Sequence, residues 1–177
     1  NEVLGVSDAQ GTRLISLEEL TALCADYSMN IQPIPALLEG ITVKTGGVDW
    51  SGGGSKGVSR TVAWIYGYHA PTAKLKTLWY KVYATVNQVD VVKEIAETFN
   101  IFGVNHVFGD AGEGNLGNSL LRERLGHHRV TQVQYGSFNK PFVWNGTARS
   151  LADRTTVLDN YLMLLKRGKM KPSELAS

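Results

Sequence analysis

Gly46-Gly47-Val48-Asp49-Trp50-Ser51-Gly52-Gly53-Gly54-Ser55-Lys56 joins a short apolar run, one acid, a glycine tract and a cation. An apolar run that delivers a carboxylate into a Gly-rich turn reads as a strand end able to hold a hard cation beside a phosphate. A carboxylate is a hard oxygen ligand suited to Mg2+ or Mn2+. Glycines let a bulky anionic substrate come close to the backbone. The same residues also fit a solvated turn that Asp49 merely caps, because Asp and Gly are both common in turns; the stretch alone leaves both readings open. It is not a nucleotide-binding phosphate loop. Gly52 to Gly57 lacks the G-x-x-x-x-G-K-[ST] order, and no helix-forming run follows it.

Working outward, the pattern becomes strand-like from Ile41. Gly47 to Trp50 is expected as the first core strand. Thr61-Val62-Ala63-Trp64-Ile65-Tyr66-Gly67-Tyr68, rich in β-branched and aromatic residues, is the second, and Lys74 to Thr85 the third. Short turns between them predict an antiparallel meander. A helix follows, capped by Asn87, with Val92, Ile95, Ala96 and Phe99 at helical spacing on one stripe and Gly103 at its end. Val104 to Gly109 is a short apolar strand running into Asp110-Ala111-Gly112-Glu113-Gly114-Asn115. The strand, crossover helix and strand are expected to leave the two strands as parallel neighbours. The next helix uses Leu116, Leu120, Leu121 and Leu125 and stops at Gly126; Arg129 to Tyr135 is a further strand. Residues 136–149 read as a loop with a short extended piece at Phe142-Val143-Trp144. A last helix over about Leu151–Arg167 is expected to start at a Ser150 cap, to have Asp153 at the capping-box position, and to turn Leu151, Leu158, Tyr161, Leu162 and Leu165 to the core. The order β-β-β-α-β-α-β-α predicts an α/β fold, a mixed sheet with helices on its faces.

Before Ile41 the chain reads as an arm or linker. Ser16 and Glu19 form a capping-box-like start to a short helix that reaches about Cys24 or Asp26, and Pro33 and Pro35 then argue against a regular element. The 177 residues suffice for one domain with a proper core, and the 43% hydrophobic and 19% charged content is that of an ordinary globular protein. A net charge of +2 gives no overwhelming basic field, so nucleic-acid binding would have to come from a local basic surface. The single cysteine, Cys24, excludes an internal disulfide and any CxxC metal site and fits a reducing compartment. No apolar run approaches the ~18 residues that span a bilayer, and no signal peptide is recognisable.

Asp49 and Asp110 form the candidate site. Each closes a core strand and precedes a Gly-containing turn, and ligands of open α/β sheets bind outside the carboxyl ends of strands. On adjacent strands, the two acids would share divalent cations. A two-metal site, with ions ~3.5–4 Å apart, stabilises the attacking and leaving oxygens in phosphodiester hydrolysis. The four histidines, His69, His106, His127 and His128, form no metal-spaced set. Glu113 reads as a ligand or, more simply, as a turn residue facing solvent. Lys56 and Arg60 flank the first acid, and Lys140 and Arg149 sit in the loop after the fifth strand. These four cations fit either phosphate positioning or ordinary surface solubility.

Five segments carry a resemblance. They are Val48-Asp49-Trp50-Ser51-Gly52-Gly53-Gly54, Ser59-Arg60-Thr61, Gly109-Asp110-Ala111-Gly112-Glu113-Gly114-Asn115, and Asp153-Arg154-Thr155-Thr156 before Leu162-Met163-Leu164-Leu165-Lys166-Arg167-Gly168. In that order and spacing they resemble the nuclease domain of tailed-bacteriophage large terminase subunits. Residues 1–30, with Asn1-Glu2-Val3-Leu4-Gly5 and Cys24, resemble the segment that joins such a nuclease to its ATPase domain.

The resemblance implies a ribonuclease-H-like fold over residues 41–177, with residues 1–40 as an arm from an ATPase domain. It also implies a metal-dependent endonuclease that cuts concatemeric viral DNA during genome packaging and uses two Mg2+ or Mn2+ ions. Asp49 takes the place of the first catalytic acid and Asp110 that of the second. The implied partners are double-stranded viral DNA and, for the full-length protein, the portal and the small terminase subunit, with no membrane. The implied place is the cytoplasm of the infected bacterial host, at the procapsid portal. The third acid of that family would lie beyond a further strand after the helix matched by residues 151–167. The sequence ends at Ser177 before that position, which implies a C-terminally incomplete domain. Asp153 and Asp159 read as a helix cap and a polar-face residue, and Glu174 lacks the right context. Two other jobs fit the same residues. One is a ribonuclease-H-like resolvase or ribonuclease acting on branched DNA or RNA–DNA hybrid; the other is a non-catalytic module docking on portal or capsid protein.

Overall fold

The computed structural model describes residues 17–23, 32–50, 60–84, 87–112, 114–146 and 149–171. A short helix α1 (Leu17–Leu23) comes first, as expected. Pro35 does not forbid a helix: it opens the single-turn α2 (Pro35–Leu38) at a first-turn position, where its missing N–H costs nothing. Leu38 already packs against the core.

The meander forms as predicted. β1 (Ile41–Asp49) pairs antiparallel with β2 (Thr61–His69), and β2 with β3 (Lys74–Tyr83). Helix α3 (Gln88–Ile101) begins at Asn87, whose side chain accepts from the backbone N–H groups of Val89 and Asp90. It buries Val91, Val92, Ile95, Ala96 and Phe99. The strand after it, β4 (His106–Asp110), is not a neighbour of β3. It pairs in parallel with β1, because α3 runs back beneath the sheet with the Phe99 ring against Gly46, 2.7 Å from where a Cβ would stand, and so returns the chain to the free edge of β1. Helix α4 (Asn115–Leu125) ends at Gly126, whose φ of +99° suits glycine, and β5 (Val130–Gly136) pairs in parallel with β4.

Beyond β5 the structure departs from the sequence reading. The extended piece is the short β6 (Phe142–Val143), but Ser150 is not a helix cap. It is buried at the start of a strand, β7 (Ser150–Asp153), parallel to β5 and antiparallel to β6. Helix α5 (Arg154–Lys166) starts four residues later with Asp153 as its cap; the Asp153 carboxylate accepts from the Thr156 backbone N–H at 2.8 Å. Only Leu165 of this helix is buried; Leu158 is 55% exposed and Tyr161 38%. A two-residue β8 (Met170–Lys171) closes the far edge. Among the described residues, the mixed sheet has eight strands in the order β6-β7-β5-β4-β1-β2-β3-β8.

Alternation along the strands assigns the faces. Gly46 and Gly109 look toward α3 and α4, where Phe99 and Asn118 fill the space a Cβ would need. Gly47 looks the other way and admits the Trp64 indole. So Gly46 and Gly47 make room for the protein's own rings rather than for substrate. By the same alternation, Asp49 and Asp110 emerge on the Trp64 face. Among the described residues, no helix is long and apolar enough to cross a membrane.

Candidate active site

Asp49 and Asp110 come together. The parallel register of β1 and β4 pairs Val48 with Gly109, so the next residue on each strand is an acid on the same face. Adjacent strands run about 4.8 Å apart. Both carboxylates line a cleft of about 440 Å³ walled by Trp64, Phe108, Val133, Tyr135, Val157 and Leu158, with Arg154 on its rim. The half-dry walls push the Asp49 carboxyl above the usual carboxylate range, and the Asp110 charge adds to the effect. Asp49 still meets solvent at the cleft mouth. One Asp110 oxygen accepts from the Gly112 backbone N–H at 3.0 Å, which fixes the carboxylate over the turn that follows the strand.

A second cavity of about 370 Å³ continues past Asp110. Ala111, Gly112, Gln134, Tyr135, Arg149 and Arg154 line it. Arg149 donates to Gln134 Oε1 at 3.4 Å. The Tyr135 hydroxyl is held above its usual pKa, first by burial and then by the charges of Asp110 and Asp49; Arg154 works against this. Asp110 is thus bordered by Arg149 and Arg154, and Asp49 by Arg154 alone, cations that can position anionic oxygens beside the acids.

Two adjacent carboxylates that repel each other in a partly dry cleft suit a hard divalent cation, which would relieve that repulsion. Mg2+ often takes one or two carboxylates and fills its remaining positions with water and substrate phosphate. Among the described residues, no group of three or more His, Cys, Asp or Glu side chains comes together. Asp153 is occupied by Thr156 and by the Phe138 backbone N–H, and these bonds lower its pKa. Asp159 is exposed on α5.

The cations named from sequence divide. Arg149 lines the second cavity. Arg60 is exposed immediately before β2, at the sheet end that carries Asp49, since Asp49 pairs with Val62. Lys140 is exposed in the loop before β6 and borders neither cavity. Lys56, Glu113, Cys24 and Glu174 lie outside the described residues. Sequence reasoning passed over Arg154, Tyr135 and Asn118 as site residues. The signal for Arg154 was a cation in the first turn of a helix, where the macrodipole disfavours positive charge.

No protein-family model matches the chain, and no curated protein matches it. Solved structures do. The human cytomegalovirus terminase nuclease domain superposes with a TM-score of 0.56 at 9% identity, over 90% of this chain and 75% of that one. The fold is that of a terminase nuclease domain. A second match of this kind is the large terminase (g2p) nuclease domain of bacteriophage SPP1 with bound Mn, at a TM-score of 0.52 and 11% identity, over 82% of this chain and 68% of that one. The large terminase nuclease of thermophilic phage G20c gives a TM-score of 0.48 at 12% identity, over 75% of this chain; the chain spans 59% of that nuclease's length. The terminase nuclease fold is ribonuclease-H-like, the mixed sheet flanked by helices expected from the sequence.

Proposed function

We infer that this chain is a metal-dependent DNA endonuclease of the large-terminase kind, cutting concatemeric viral DNA as a genome is packaged. The observation that carries the reading is the Asp49–Asp110 pair at the carboxyl ends of adjacent parallel strands, in a cleft rimmed by arginine. The fold supports it, being shared with a terminase nuclease domain that holds Mn.

In this reading Asp49 and Asp110 hold two Mg2+ or Mn2+ ions, which supply an activated water and neutralise charge on the leaving oxygen. Asp110, fixed by the Gly112 N–H through one oxygen, turns its carboxylate to the cleft. Arg154 and Arg149 hold the phosphates beside the scissile one, a duty the sequence could not assign to Arg154. Arg60, Lys140 and Lys56 extend the backbone contacts, which give affinity without sequence preference. Trp64, Phe108 and Val157 limit water around the pair and so strengthen its hold on cations. In the full-length protein, residues 1–40 would link this nuclease to an ATPase domain. Its partners would be double-stranded viral DNA, the portal and the small subunit, and its place the host cytoplasm at the procapsid portal.

The test is plasmid cleavage in Mn2+ by the wild-type chain beside Asp49→Ala and Asp110→Asn, with four-way junction and RNA–DNA hybrid substrates run in parallel. Cleavage of linear duplex by wild type alone supports the reading. Folded variants that cut at the wild-type rate sink it, and a strong preference for junctions or hybrid would reassign the enzyme to a resolvase or ribonuclease.

A further inference from the structure

We propose that Asn118 is a positioning residue that ties the two acid-bearing strand ends together from the opposite face of the sheet. This inference rests on the nuclease reading above.

Asn118 lies on α4 and is fully buried. A buried amide is costly unless its hydrogen-bonding groups are engaged. Here both ends are used, and each reaches a different strand. Asn118 Oδ1 accepts from the indole Nε1–H of Trp50, the residue after Asp49, at 3.0 Å. Asn118 Nδ2 donates to the backbone carbonyl of Asp110 at 2.7 Å. One side chain therefore spans the exits of β1 and β4 just where the parallel register ends.

The surroundings are shaped for this contact. A Cβ on Gly109 would collide with the Asn118 amide, and one on Gly114 would collide with the Trp50 ring. At Gly117 a Cβ would stand 2.8 Å from the indole. Trp50 is only 4% exposed and seats in the notch these glycines leave at the start of α4. A leucine at position 118 would continue the apolar stripe of Leu121 and Leu125, so burial alone calls for an apolar residue there and not for an amide. Its consequence is geometric. With the strand exits held together, two carboxylates that repel each other are kept side by side on the far face. Partners bonded directly to ligating side chains typically account for about 10–100-fold in metal affinity; Asn118 acts one step further out, through the Asp110 backbone and Trp50, and is expected at the lower end of that range.

The test is Mn2+ affinity by calorimetry and by the electron paramagnetic resonance signal of free Mn2+, with thermal unfolding followed in chelator. Asn118→Leu keeps the branching of the side chain, with more bulk, and removes both bonds; it is expected to stay folded and lose about tenfold in Mn2+ affinity. Trp50→Phe keeps an aromatic ring in the notch and should weaken Mn2+ binding; combined with Asn118→Leu it should add nothing further, because both remove the same link. Leu121→Ala, a core truncation on the same helix, should lower the melting temperature and leave Mn2+ affinity unchanged.

Wild-type affinity in folded Asn118→Leu overturns the proposal. Should that variant not fold, wild-type affinity in Trp50→Phe does so. A wild-type chain that takes up no Mn2+ overturns the nuclease reading and the role of Asn118 with it, whereas wild-type uptake with unaffected variants overturns the role of Asn118 alone.

Discussion

Asp49 and Asp110 stand side by side on neighbouring parallel strands, each one residue past the Val48–Gly109 pair, with Asn118 joining the two strand exits behind them. Without cations this is a strained arrangement of charge. The folded pKa of Asp49 lies above its unfolded value, so the folded chain binds more protons in that window. Stability is therefore lost as pH rises through the unfolded value to the raised one, and the loss persists near neutrality. Burial is the larger cause and remains after mutation; the Asp110 charge is the part a variant can remove. In chelator near pH 7, Asp110→Asn should be more stable than wild type. Screening at the cleft mouth keeps the gain at or below about 1 kcal/mol. Urea denaturation reads this, and the difference should vanish at acid pH.

Asp153 is a cap and not a ligand. Its carboxyl is held below the usual range chiefly by the Thr156 hydroxyl, then by the Thr156 and Phe138 backbone N–H groups. The stabilisation is present above the unfolded pKa and lost as pH falls through it toward the lower folded value. Asp153→Ala should lower the melting temperature at neutral pH and leave the Mn2+ titration unchanged. A large loss of Mn2+ affinity in folded Asp153→Ala would instead make this carboxylate the missing third ligand.

Arg154 lines both cavities beside Asp110. If it holds a phosphate, Arg154→Gln should weaken duplex binding alike for all sequences and reduce the slope of log affinity against log salt by about 1. Fluorescence anisotropy with labelled duplex across a salt series measures both. An unchanged slope would remove Arg154 from the DNA path.

His106 supplies a pH dependence away from the acids. Its ring lies against Phe108 and Trp144, at centroid distances of 4.9 and 5.7 Å, and Nε2 shares a 2.8 Å hydrogen bond with Thr131 Oγ1. Burial first, then the nearby charges of His128 and Arg129, holds its pKa down. The unfolded chain thus takes up the proton first as pH falls. The stability associated with a neutral His106 is complete above about 6.5 and is lost as pH drops below that toward the lowered folded value. Urea midpoints between about pH 7.5 and pH 5.5 should fall less in His106→Leu than in wild type; equal falls would place the titrating group elsewhere.

Much of this was legible from local pattern. Strand periodicity and the Asn87 cap gave the meander and α3, and two acids at strand ends marked the cleft. What stayed hidden was set by distant partners. Nothing local to β3 says that the next strand lands beside β1; that follows from Phe99 finding Gly46. Ser150 has the chemistry of a cap but is drawn into the sheet by pairing with Val133. Leu158 has the spacing of a core residue but borders an open cleft. Asn118 was not singled out from sequence, because its meaning depends on Trp50, 68 positions away.

The most direct test of the central claim is a calorimetric Mn2+ titration of the wild-type chain beside Asp49→Ala and Asp110→Asn, with folding checked by thermal unfolding. The account predicts Mn2+ uptake by wild type and its loss in both folded variants. Uptake of equal affinity in all three, or none in wild type, would contradict it.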